Sequence, residues 1–194
     1  MNRTLRHLLA GATLLTIAGT VSAHSDHGTA SFASGFVHPL AGLDHLLAMV
    51  AVGLWSAAAL PVRRRLIGPS LFVALLAAGA ALSAAVPALR FIEPGIALSV
   101  VLLGALLLGG RHIDVRVGLA LIAGAALLHG YAHGAEMASA SFATYAAGFA
   151  LASALLHGLG FALGAWTQKT QAWVWRAAAA GTAISGAAML VTRL

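Results

Sequence analysis

The chain contains no cysteine. That absence excludes disulfides, thiolate metal sites and cysteine nucleophiles, so any metal must be held by nitrogen, oxygen or thioether groups. Charge is scarce as well. Only 8% of the 194 residues are Asp, Glu, Lys or Arg, where soluble domains carry about 25%. A water-soluble globule is thereby excluded. No nucleotide-binding motif is found, which argues against direct ATP-driven pumping.

What the chain has in abundance is apolar surface: 60% of its residues are hydrophobic and its mean hydropathy is +0.93. Its net charge of +6 and pI near 11.4 do not point to nucleic acid as a partner. The basic residues lie in short clusters between apolar runs, the pattern by which a membrane protein encodes its orientation. The expected partner is the lipid bilayer.

The first 23 residues have the form of a secretory signal. Arg3, Arg6 and His7 make a basic start, Leu8 to Thr20 an apolar stretch, and Val21-Ser22-Ala23 a small-residue cleavage site. Cleavage there leaves residues 24–194 as one membrane domain that begins His24-Ser25-Asp26-His27. Two imidazoles, a carboxylate and a free amine make this tip a candidate metal collector; otherwise it is a short solvated tail.

Apolar runs of near-spanning length predict an all-α membrane protein, a bundle of six transmembrane helices over Phe36–Leu60, Leu66–Val86, Pro94–Gly109, Val117–His133, Ser141–Trp166 and Ala172–Leu194. With the mature N-terminus outside, the inner connections carry Arg63, Arg64, Arg65, Arg111, Arg116, Lys169 and Arg176, and the outer side only Arg90 and Arg193. The asymmetry predicts that both mature termini face the periplasm. The 22 glycines suit close approach of helix backbones. The pentapeptide Ala-Leu-Leu-His-Gly occurs at Ala126–Gly130 and again at Ala154–Gly158. Transporters often contain inverted repeats, although a chain so rich in alanine and leucine offers such matches by chance.

Two polar clusters interrupt the oil. The first holds His38, Asp44 and His45. If its helix runs smoothly through His38, with Pro39 in the first turn, seven residues return His45 to about the same face. Met49 then lies one turn below His45. The second cluster holds His129, His133 and Glu136, spaced four and three apart on one helical stripe, with Glu136 in the last turn or the outer loop. Gly130 and Gly134 clear space beside the imidazoles for a partner helix or an ion. Gly130 also stands where a zinc-protease helix needs its Glu, so that motif is absent. Ionisable groups within a membrane are functional candidates by default. The charge asymmetry sets both clusters at the outer ends of their spans, so residues more than 80 positions apart are expected to converge. His157 stands apart, nearer the cytoplasmic side, as a structural group or a second ion site.

The segments His38-Pro39-Leu40-Ala41-Gly42-Leu43-Asp44-His45 and His129-Gly130-Tyr131-Ala132-His133-Gly134-Ala135-Glu136 resemble the two signature motifs of the HupE/UreJ permeases. The flanking Leu46-Leu47-Ala48-Met49 and Val52-Gly53-Leu54-Trp55 add to the resemblance, which covers essentially the mature chain. Leu128 departs from a Phe frequent in the family at that position. The resemblance implies a bacterial inner-membrane permease that carries nickel, with cobalt a related possibility, for hydrogenase or urease maturation, with no resident cofactor. It also implies that His38, Asp44, His45, His129, His133 and Glu136 handle the ion. Spacing alone indicates only a divalent metal, since imidazole with carboxylate suits nickel, cobalt, zinc and copper. Two other readings use the same residue types. One is an intramembrane zinc hydrolase of the ceramidase type, whose seven helices would need the first 23 residues uncleaved. The other is a haem-b carrier with facing histidines, against which Asp44 and Glu136 argue.

Overall fold

A computed structural model describes residues 31–86, 90–136, 142–167 and 172–194. The signal-like segment, His24 and His27 lie outside them. The described residues form seven α-helices: α1 (Phe32–Ala41), α2 (Leu43–Ala59), α3 (Ile67–Ser83), α4 (Ile92–Gly109), α5 (Val115–Glu136), α6 (Phe142–Thr167) and α7 (Ala172–Arg193). The segment Val62–Ser83, which contains α3, and the helices α4 to α7 are long and apolar enough to cross a membrane, and α1 with α2 passes the same test as one bent pair. This is an all-α, multi-pass membrane protein.

The expected first span departs from a single smooth helix. Its two parts meet at an 80° bend. Gly42 is extended there (φ −82°, ψ 113°), and Pro39 sits in the last turn of α1 rather than in a first turn. Both the ring at Pro39, which removes an N–H, and the missing side chain at Gly42 favour ending a helix here. The backbone pays little in lost pairing, because Gly42 N–H donates to His38 O (3.1 Å) and Leu46 N–H donates to Gly42 O (3.0 Å). Upstream, Ser31 and Ser34 form a reciprocal cap that starts α1.

Four helix pairs account for most of the packing: α3 with α5, α4 with α7, α2 with α6 and α1 with α6. Each closes on glycines set directly against the partner backbone. Gly79, Gly130 and Gly134 do this between α3 and α5, Gly53 and Gly160 between α2 and α6, and Gly104 and Gly186 between α4 and α7. A methyl group at any of them would meet main-chain atoms, so these helices approach more closely than alanine permits. The space beside His129 and His133 is therefore taken on that side by α3. The core gathers around α2, where Met49, Val52 and Trp55 are fully buried together with Phe72, Leu103 and Ile122.

Candidate metal centre

The bend between α1 and α2 builds the site. It folds the last turn of α1, which carries His38, over the first turn of α2, which carries Asp44 and His45. The last turns of α5 and α7 reach the same end of the bundle. One nitrogen from each of His38, His45 and His133 lies within 4.8 Å of the other two. His45 and His133, 88 residues apart in sequence, bring their Nε2 atoms to 2.5 Å. His38 is half-buried, while His45 and His133 are buried. The expected convergence of the two clusters is thus found, but through an 80° break and not along one face of a continuous helix. Phe149 of α6 stands about equally far from all three rings, with centroids at 5.9 Å from His38 and 6.0 Å from His45 and His133. It walls the cluster with apolar surface.

Asp44 is engaged on both of its oxygens. Oδ1 accepts from His45 Nδ1 at 2.6 Å and from the His45 backbone N–H at 2.8 Å. Oδ2 accepts from Arg193 Nη2 at 2.9 Å. A carboxylate can only accept, so His45 carries its proton on Nδ1 and presents the Nε2 lone pair to the cluster. Histidine that binds metal commonly has its other nitrogen fixed in this way. Gly42 makes the pair possible: a Cβ there would stand 2.8 Å from His45 Nδ1 and 3.0 Å from Asp44 Oδ1. The glycine is needed for room, since its φ is ordinary.

The remaining predicted residues fall around this centre. His129, one turn below His133 and fully buried, donates from Nδ1 to Ala125 O at 2.8 Å. Its ring lies 4.8 Å from that of His45. Its Nε2 has no hydrogen-bond partner among the described residues. Met49 is buried in the apolar core one turn below His45. Glu136 is the last residue of α5, and its side chain lies outside the described residues. His157 is buried in mid-bundle, away from the cluster.

Sequence reasoning missed the cationic side of the site. Arg193, at the end of α7, bridges Asp44 and Glu93, with Nη1 3.3 Å from Glu93 Oε2. The available signal was its position as one of two basic residues at the arginine-poor end. The helix ends at the site are mixed in sign, the N-terminus of α2 bringing partial positive charge beside Asp44. The C-termini of α1 and α5 both end at the cluster, and a helix C-terminus carries partial negative charge.

Fold and site together define a multi-pass helical membrane protein with a three-imidazole cluster at one end of its bundle. The HupE / UreJ family model matches residues 12–189. The chain is also 41% identical over 186 residues to Protein HupE of Rhizobium leguminosarum bv. viciae, covering 94% of this chain and 95% of that protein. The chain belongs to the HupE/UreJ family. No solved structure matches it.

Proposed function

We propose that this protein is a bacterial inner-membrane permease for divalent nickel, with cobalt as a second substrate, supplying metal for hydrogenase or urease maturation. The ion enters at the histidine cluster from the periplasm, where both mature termini also lie. The convergence of three imidazole nitrogens from α1, α2 and α5 is the observation that carries this reading. Nickel and cobalt accept imidazole readily. Three protein ligands leave coordination positions to water, and a transported ion must be held weakly enough to leave. His38, His45 and His133 are the proposed ligands. Asp44 orients His45, and His129 and Glu136 receive or guide the ion. Family membership favours transport over a zinc hydrolase of the ceramidase type.

Proteoliposomes containing the full chain test the proposal with radiolabelled nickel. Saturable uptake above protein-free vesicles, competed by cobalt, is expected. Folded protein that takes up no nickel would overturn it. Reporter fusions at the C-terminus test orientation separately, and a cytoplasmic C-terminus would place the cluster on the wrong side.

A further inference from the structure

The cluster does not end at His133. Ring neighbours continue into the bundle: His45 to His129 at 4.8 Å, His129 to Phe72 at 6.1 Å, and Phe72 to His157 at 5.2 Å. Phe72 is fully buried and His157 is 3% exposed. The two histidines that neighbour Phe72 are the histidines of the repeated Ala-Leu-Leu-His-Gly segment, one on α5 and one on α6.

They are presented identically. His157 Nδ1 donates to Ser153 O at 2.7 Å, as His129 Nδ1 donates to Ala125 O, in each case the carbonyl four residues earlier. A carbonyl only accepts, so each ring is held in the tautomer that leaves Nε2 as a bare lone pair. Neither Nε2 has a hydrogen-bond partner among the described residues, and the Ser153 hydroxyl likewise has none. A buried polar atom without a partner is costly and calls for an explanation. A helix holding one such histidine as packing would be unremarked; two, in matching sequence and matching tautomer and both beside one aromatic ring, form a series. A cavity of about 220 Å³ between α3, α5 and α6 has His133 and Ser153 among its mostly apolar lining.

We propose that His157 is a second, deeper station for the divalent ion, reached from His129 past the ring of Phe72, with Nε2 as its ligand atom. The inference rests on the transport reading above. Phe72 neighbours both rings, and His129 and His157 each offer a single imidazole, so an ion that leaves the three-imidazole cluster is held weakly enough to move on.

The test uses the full chain in proteoliposomes, with His157→Leu, His157→Gln and His157→Cys. Initial nickel uptake by the Leu and Gln variants should fall at least about tenfold, while equilibrium nickel affinity at the outer cluster stays within about twofold, since that cluster is untouched. The Cys variant should regain uptake and shift preference from nickel toward cadmium, a softer ion, which a merely structural role would not do. Uptake at the wild-type rate by Leu or Gln, at equal protein level, would overturn the proposal. So would parallel loss of uptake and cluster affinity, which would mean that His157 acts through the cluster. If the Leu variant fails to insert, the polar Gln and Cys variants decide. Absence of nickel uptake by the unsubstituted protein would instead overturn the transport reading itself.

Discussion

The α1–α2 span and the α4–α7 pair are both apolar and both rest on glycine, but they use it differently. In α4 and α7, Gly104 and Gly186 let two unbroken helices touch along their backbones. In α1 and α2, Gly42 lets one span stop and turn through 80°, with the Asp44–His45 pair seated against its bare Cα. The first pair gives the bundle a rigid wall. The second exposes helix ends, and helix ends carry unpaired backbone dipoles that polar chemistry can use. The division is not complete, because the far ends of α4 and α7 contribute Glu93 and Arg193 to the rim of the site. Within a membrane, continuity supplies stability and interruption supplies function.

The largest effect expected of this contrast lies at the cluster itself. His133→Ala should reduce nickel uptake at limiting metal by about a hundredfold or more, by removing one of three ligands. Asp44→Asn, which deprives His45 and Arg193 of their carboxylate, should cost about 10–100-fold in metal affinity. Both variants should insert normally, as shown by membrane yield; normal uptake by both would dissolve the functional side of the comparison.

Paired glycine substitutions sharpen it further. Gly42→Ala should weaken metal binding by about tenfold, through displacement of the Asp44–His45 pair, with little change in melting temperature. Gly104→Ala, whose Cβ would stand 2.5 Å from Ala183 N, should leave affinity unchanged and destabilise the bundle by about 1–3 kcal/mol. Thermal unfolding and nickel titration of the two proteins separate these outcomes. If both glycines prove to affect stability alone, the two regions do not differ in kind.

The smallest expected effect is that of pH. Imidazole must be neutral to ligate, so protons compete with the ion and binding weakens toward acid. Isothermal titration of nickel from neutral pH downward should show affinity falling as pH falls. A flat profile would argue that carboxylates, and not imidazoles, dominate the site.

Much of the architecture was legible in the chain. The limits of α3 to α7 differ from the apolar runs by at most three residues, because a spanning helix must be both long and oily. His129 and His133 could be placed on one stripe because α5 is continuous through them. The meeting of His45 with His133 could be anticipated from orientation alone. The bend at Gly42 could not, since Pro39 is acceptable near either end of a helix and Pro-Leu-Ala-Gly does not say which. Nor could the division of labour within the first cluster, where Asp44 grips His45 and Arg193 and does not stand with the three converging nitrogens.

By itself, the sequence determined that the chain lives in a bilayer, which segments cross it, and which polar residues are costly enough there to be candidates for a site. Those are one-dimensional properties, set by transfer free energy and helical repeat, and each can be read a segment at a time. Tertiary structure decided which nitrogens share a point in space, which tautomer His45 presents, that Arg193 answers Asp44 from the far end of the chain, and that His157 and His129 share Phe72 as a ring neighbour. These depend on the angle at one glycine and on the closeness of helix backbones. Distances of a few ångströms between residues some 90 to 150 positions apart are fixed by packing, not by any local pattern.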